Sequence, residues 1–357
     1  MNSLCTLKKQ TEMRRLCYIS RNYRGTASSG NKARTDNEDI ISRIGGINLS
    51  LPRSFSRNKI VTFLYNLIGV LVYTLRVRPG DIVFLQYPIK KYFAFICGVA
   101  RLRGAKTVAL IHDLGVFRRK KLTEKKEISR LMCADYVIAS NETMEQWLKA
   151  HGLTKSTGAL GVFDYQSEAR CRETSSYTPG QARVVYAGAL AMRKNAFITL
   201  LPDIIKGYRL HIYGNREGLP SLRECNDIIF HDFTPADAFI SGVDGDFGLV
   251  WDGDSLDGCT GNFGEYLTFN TPHKVSFYIR AGLPIIIWSG AALASFVRKE
   301  QIGICIDSIA DLTKALDGIT ADDYAAMRKN IMRVSNSFIE GHYLKRALKE
   351  ACETLDK

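Results

Sequence analysis

Residues 270–288 read NTPHKVSFYIRAGLPIIIW, placing a histidine and a lysine where a helix should begin. Thr271 suits the cap of that helix and Pro272 its first position, where no backbone N–H is needed. His273 and Lys274 then fall in the first turn. That end of a helix already carries partial positive charge, so a lysine there is costly unless an anion arrives. Free N–H groups, the helix dipole and an ammonium together make a phosphate site.

Other residues have the types and positions to share in such chemistry. YAGALAMRKN (186–195) puts Arg193 and Lys194 between a strand and a helix, which suits a diphosphate. It is not the GxGxxG of dinucleotide-binding proteins. HIYGNREG (211–218) ends a strand at Tyr213, a ring able to stack on a base or to pack internally. Asp252-Gly253-Asp254 has the form of a divalent-metal ligand pair. Nearby lysines and arginines could do a metal's electrostatic work instead, and no metal is expected. His112 and Asp113 close the strand KTVALIHD. A histidine at that position could act as a base or hold a substrate hydroxyl. The loop Ser28-Ser29-Gly30-Asn31-Lys32-Ala33-Arg34-Thr35-Asp36 lets backbone approach a ligand and offers two cations.

The elements that position these residues alternate. Strands are expected at 15–20, 81–88, 106–113 and 135–140, with a helix beginning within GNKARTDNEDIISRI (30–44) and further helices at 60–77, 92–104, 125–134 and 141–152. A polar stretch at 161–181 reads as a linker. The pattern then restarts with strands at 183–190, 208–214, 227–233, 246–253, 283–288 and 302–307. Helices are expected at 195–207, 272–281 and 292–301, a long one capped by Thr320, and a last one at 342–355. Val/Ile/Leu-rich strands alternating with helices imply parallel sheets covered on both faces. Two doubly wound α/β domains follow, over 1–165 and 166–335, and ligands belong beyond the carboxyl ends of their strands.

The chain has 357 residues and a net charge of +13. The first 165 hold 28 Lys and Arg against 12 Asp and Glu; the remainder hold 21 against 24. A basic half faces something anionic: nucleic acid, a membrane surface or a phosphorylated lipid. FRRKKLTEKK (117–126) and Lys90-Lys91 are the densest runs. The apolar segment 60–77 is barely long enough to span a bilayer and reads as a buried or interface-facing helix. The nine cysteines show no metal spacing and suit a reducing compartment. The first residues contain no apolar leader core, so a cytosolic chain is expected.

GNKARTDNED, the HD after the third strand, YAG, FGLVWDGDS and GEYLTFNTPHKVSFYIRAGLPIIIW together resemble bacterial nucleotide-sugar glycosyltransferases of the GT-B fold. The similarity is to the group of β-1,6-galactofuranosyltransferases and adhesin-extending glucosyltransferases. It runs along essentially the whole chain. It implies a UDP-sugar held by the second domain, with Arg193 and Lys274 at the diphosphate and Tyr213 and Asn270 at the uridine or ribose. Lys194 and His273 belong to the same donor set. The acceptor, a glycan that could be lipid-linked, is expected near Ser29, Gly30, Asn31, Lys32 and His112. The last helix, within 336–357, is expected to pack back on the first domain. For the acceptor proton, Asp36, Asp113 and His112 stay open.

One departure stands out. Many retaining GT-B enzymes carry two glutamates before the helix-ending glycine; counted back from Gly282, those positions are Phe277 and Phe269. The expected activity is therefore metal-independent hexosyl transfer of open stereochemistry. Its rivals are a nucleotide-sugar epimerase and a basic nucleic-acid-binding protein. Peripheral contact with the inner membrane is expected, and self-association stays open.

Overall fold

The computed structural model describes residues 14–25, 29–89, 91–118, 122–173 and 177–357. Ser28, Lys90, Arg119, Lys120 and Lys121 lie outside them, as do the side chains of Ser29, Gly30 and Arg118. The described chain forms two six-stranded sheets. The first holds β1 (Leu16–Tyr18), β2 (Ile47–Asn48), β3 (Ile82–Tyr87), β4 (Lys106–Ile111), β5 (Tyr136–Ala139) and β6 (Ser156–Ala159), in the order β2-β1-β3-β4-β5-β6. The second holds β7 (Ala182–Ala187), β8 (Tyr208–Tyr213), β9 (Ile228–His231), β10 (Phe247–Val250), β11 (Ile285–Trp288) and β12 (Gly303–Ile306), in the order β12-β11-β10-β7-β8-β9. All described strand pairs are parallel.

Strand alternation sorts side chains onto two faces. Ile82, Phe84, Val108, Leu110, Tyr136 and Ile138 join the core that continues into the second domain. Val83, Leu85, Ala109, Ile111, Val137 and Ala139 face a separate core under the helices Lys59–Arg76 and Phe93–Leu102. The helix His342–Leu355 crosses back onto β5, β6 and the helix Ser29–Arg43. Asp164 anchors its start by accepting from the N–H groups of Tyr343 (3.3 Å) and Leu344 (2.8 Å).

Some local expectations change. Residues 196–203 form a 3₁₀ helix after a single α-turn, and Pro202 near its end has no N–H to extend an α-ladder. Thr271 does not cap its helix; Pro272 does, without a side-chain bond. The Thr271 hydroxyl instead bridges domains, donating to Ser140 O (3.1 Å) and accepting from Asn141 Nδ2 (2.9 Å). The short strands β2 and β6 are too brief and too polar to stand out as a hydrophobic pattern.

In each sheet the strand order reverses direction once: beside β1 and β3 in the first, between β7 and β10 in the second. Such switch points open a crevice at the carboxyl ends of the strands.

Candidate active site

At the switch point of the second sheet, Asp252 follows β10 and Tyr186 lies in β7. Lys274 Nζ sits 3.5 Å from Asp252 Oδ1 and 3.7 Å from the centre of the Tyr186 ring. Lys194 Nζ approaches the other oxygen, Oδ2, also at 3.5 Å. The Tyr186 hydroxyl donates to Asp252 Oδ1 at 2.9 Å and accepts from Asn195 Nδ2. Asn195 is fully buried and held by the Ala191 N–H. Gly253 ties the two segments together, its N–H donating to Lys194 O at 2.6 Å. Its φ of +119° and the approach of Thr260 O, 2.3 Å from where a Cβ would stand, leave room only for glycine.

Two ammoniums thus share one carboxylate, which leaves surplus positive charge when both are protonated. Burial pulls the Lys274 ammonium down to about 7; Asp252 opposes this and Lys194 reinforces it. A diphosphate would supply the missing negative charge at the start of the helix His273–Arg280. The anion beside Lys274 is Asp252 itself, which corrects the expectation that only an incoming anion could account for a lysine there.

The two carboxylates of Asp252-Gly253-Asp254 have different partners. Asp252 faces lysines, while Asp254 turns to the Thr260 hydroxyl at 2.5 Å. Among the described residues no group of three His, Cys, Asp or Glu side chains converges.

The seam between domains lies beside this cluster. The His273 ring stacks on Tyr165 at 4.9 Å and meets the edge of Phe163 at 6.2 Å; Phe163 in turn stacks on His112 at 4.9 Å. His273 Nε2 and Asn270 Oδ1 are buried without a hydrogen-bond partner in the protein. Unpaired buried polar atoms are rare and call for an explanation, and a polar ligand is one. Burial pushes His273 down to about 3, with Lys32 adding to the effect, so its imidazole is neutral.

Across the seam, Gln86 at the end of β3 fixes His112. Gln86 Nε2 donates to Arg34 O (3.0 Å), which sets the amide orientation. Its Oε1 then accepts from Asn37 Nδ2 (3.0 Å) and faces His112 Nε2 (2.9 Å). His112 Nε2 must carry the proton, leaving Nδ1 as the basic nitrogen. Burial, with Arg34, Arg21 and His273 nearby, holds His112 well below its ordinary pKa. Arg21, just beyond β1, is partly buried 5.2 Å from the Tyr23 ring, with no ion-pair partner among the described residues.

The other expected site residues divide. Arg193 is exposed over Phe263 (5.5 Å) and does not join Asp252. Tyr213 is packed: its ring stacks on His231 at 4.3 Å, meets Phe239 at 4.9 Å, and its hydroxyl accepts from Asp244 N–H. Strand alternation puts it on the face it shares with His211, where its ring is half-buried in this packing. Asp36 is 1% exposed, paired with Lys32 and accepting from Gln166 N–H (2.9 Å). It anchors the linker, and burial raises its carboxyl to about 6 against the pull of Lys32.

Lys32 serves the same anchor, bonding Gln166 O and lying 4.8 Å from the Tyr165 ring centre. Asn31 Nδ2 clasps Tyr23 O and Gly25 O. Both are engaged within the protein, Lys32 and Asn31 lying in the first turn of Ser29–Arg43. Ser29 and Gly30 open that helix. Asp113 is partly exposed beside His112.

Phe277 packs on Tyr165 (5.6 Å) and Phe239 (4.4 Å), and Phe269 stacks on Phe117 (4.5 Å). Aromatic packing therefore stands where larger-family carboxylates would. Sequence reasoning missed Tyr186, Asn195, Gln86 and Arg21. Tyr186, Gln86 and Arg21 end or follow a strand at a switch point, and Asn195 closes the helical turn after β7; that placement is the one signal that could have singled them out.

The comparisons agree with this architecture. A family model for the N-terminal domain of Glucosyltransferase 3-like proteins matches residues 16–162, and the corresponding C-terminal domain model matches 184–351. The chain is 31% identical over 339 residues to the beta-1,6-galactofuranosyltransferase WbbI of Escherichia coli (strain K12), covering 92% of this chain and 95% of that one. It is 23% identical over 281 residues to Glucosyltransferase 3 of Streptococcus gordonii, covering 76% and 79%. The solved apo structure of the lipopolysaccharide outer core galactosyltransferase WaaB superposes with a TM-score of 0.60, at 14% identity, over 94% of this chain and 99% of that one. None of these relatives is an epimerase or a nucleic-acid-binding protein. With both domain models matched and a relative above 30% identity along nearly its full length, the chain belongs to the Glucosyltransferase 3-like family of GT-B glycosyltransferases.

Proposed function

We propose that this glycosyltransferase moves galactofuranose or glucose from a UDP-sugar to a glycan acceptor in the synthesis of a cell-surface polysaccharide or glycoconjugate. The observation that carries the reading is the convergence of Lys274 and Lys194 on the single carboxylate of Asp252 at a helix N-terminus. The C1–O bond to the diphosphate breaks, the leaving oxygen gains charge, and these cations stabilise it. The acceptor hydroxyl adds to C1, and its proton passes to a base at the end of β4. Neutral His112, with Nδ1 as the accepting nitrogen, suits that role better than Asp36; Asp113 is the alternative. No metal is required, because Asp252 is already engaged by ammoniums. The acceptor is a lipid-linked glycan on the cytosolic side of an anionic membrane.

Donor hydrolysis and transfer measured over a panel of UDP-sugars, with a thermal shift by UDP, test the reading. One or two UDP-hexoses turned over, and a UDP-dependent rise in melting temperature, are expected. No UDP effect and no turnover of any member would overturn it.

A further inference from the structure

The helix Lys59–Arg76 turns Thr62, Gly69, Val70 and Tyr73 inward. Tyr73 bonds Ile96 O of the adjacent helix Phe93–Leu102 at 3.0 Å. On the opposite face, Ile60, Leu64, Ile68, Leu71 and Leu75 form one stripe at spacings of four, four, three and four residues. All five are between 48% and 81% exposed. Phe63 flanks them, and the adjacent helix adds Phe95 (50%) and Leu102 (88%). Isolated exposed apolar residues are ordinary; a stripe along a helix roughly 27 Å long is not. By length and composition this helix could cross a membrane, but in this fold its inner face is held by Asn22, Ser50 and the helix Phe93–Leu102, so it lies along the domain surface.

Charge selects the occupant. Between residues 40 and 112 the chain has eleven Lys and Arg and a single acid, Asp81. Asp81 is buried and paired with Arg15 at 2.7 Å. Arg57 and Lys59 stand at the start of the stripe. Lys91 Nζ lies 4.9 Å from the Phe63 ring centre. Arg76, Arg101 and Arg103 stand near the helix ends. A second copy would set like charges against each other, whereas an anionic bilayer accepts both the aliphatic stripe and its basic rim.

The geometry points to an anionic lipid surface as the partner of this face, with Lys59–Arg76 lying in the interfacial plane and Phe95 and Leu102 beside it. The inference rests on the membrane-presented acceptor reading, and it names the docking surface as these two helices in place of the 117–126 run. Neither helix contributes a side chain to the active site.

The test is sedimentation with phosphatidylcholine vesicles and with vesicles containing 30% phosphatidylglycerol (about this fraction gives a strongly anionic surface). The proteins are the wild type, the triple variant Leu64→Ser, Leu71→Ser, Leu75→Ser, and the double variant Arg101→Ser, Arg103→Ser. Wild type should sediment with anionic vesicles. The triple variant should partition at least tenfold less, and the double variant should lose affinity on anionic vesicles alone, as should the wild type in high salt. UDP-sugar hydrolysis serves as the fold control and should stay unchanged in all three. Equal weak sedimentation throughout overturns the inference. So does a wild-type oligomer, seen by light scattering, that the triple variant dissolves. Vesicle binding without hydrolysis of any donor would sink the transferase reading and leave the docking surface standing; hydrolysis without binding does the reverse.

Discussion

Lys274 Nζ lies 3.5 Å from Asp252 Oδ1, in a cluster where a second ammonium, Lys194, claims the other oxygen. Burial, with Lys194 adding to it, lowers the proton affinity of Lys274 to about 7. A free lysine titrates at about 10.4. Between these values the unfolded chain binds a proton that the folded chain has released, so stability rises with pH through that window and is lost as pH falls from about 10 to 7. The slope from this residue is at most about 1.4 kcal/mol per pH unit. Urea unfolding at pH 7.5 and 9.5 should show the wild type gaining stability relative to Lys274→Met. Parallel behaviour of the two proteins would show that Lys274 is not depressed.

The same substitution should separate stability from activity. Lys274→Met retains the methylene stem over Tyr186 and removes a costly charge, so melting temperature should hold or rise. Loss of a charge-assisted contact to the diphosphate should cost about 1.5–3 kcal/mol, on the order of 10- to 100-fold in kcat/KM. Steady-state kinetics and calorimetry check both. Undiminished kcat/KM would remove Lys274 from the donor site.

Donor binding should take up protons. A diphosphate beside Lys274 raises its proton affinity again, so near pH 8 up to one proton should enter with UDP. Titration calorimetry in two buffers of different ionisation enthalpy measures it. Uptake that persists in Lys274→Met would place the proton elsewhere.

Chelation should leave activity intact, since Asp252 is held by ammoniums and Asp254 by Thr260. Activity lost in excess EDTA and restored by Mn²⁺ would show that the pair rearranges to bind a metal.

His112→Ala should lower kcat by about 10²–10⁴ with little change in donor affinity, as for loss of a general base. Asp36→Asn should instead weaken the Lys32–Gln166 anchor and act on stability. The pair of variants, compared by kcat, KM and unfolding, separates the two roles. A larger kcat loss in Asp36→Asn than in His112→Ala would reverse the assignment.

Much of this protein was legible in the chain itself. Val/Ile/Leu-rich strands, bounded by turn residues, announce two parallel sheets, since an element buried on both faces needs a continuous apolar run. The Thr320–Asp323 capping box and the last helix, His342–Leu355, are local signals, and the structure contains both. Lys274 stood out because a cation in a first helical turn conflicts with the dipole. Tertiary structure decided which anion answers it. Asp252 and Lys194 reach Lys274 only because β7 and β10, distant in sequence, are neighbours at the switch point. Other long-range contacts tie Asp36 and Lys32 to Gln166 of the linker, and the pairing of β8 with β9 stacks Tyr213 on His231. Periodicity shows which face of an element is apolar. It does not show what lies opposite, which is why the outward stripe of Lys59–Arg76 was visible only once its inner face was placed.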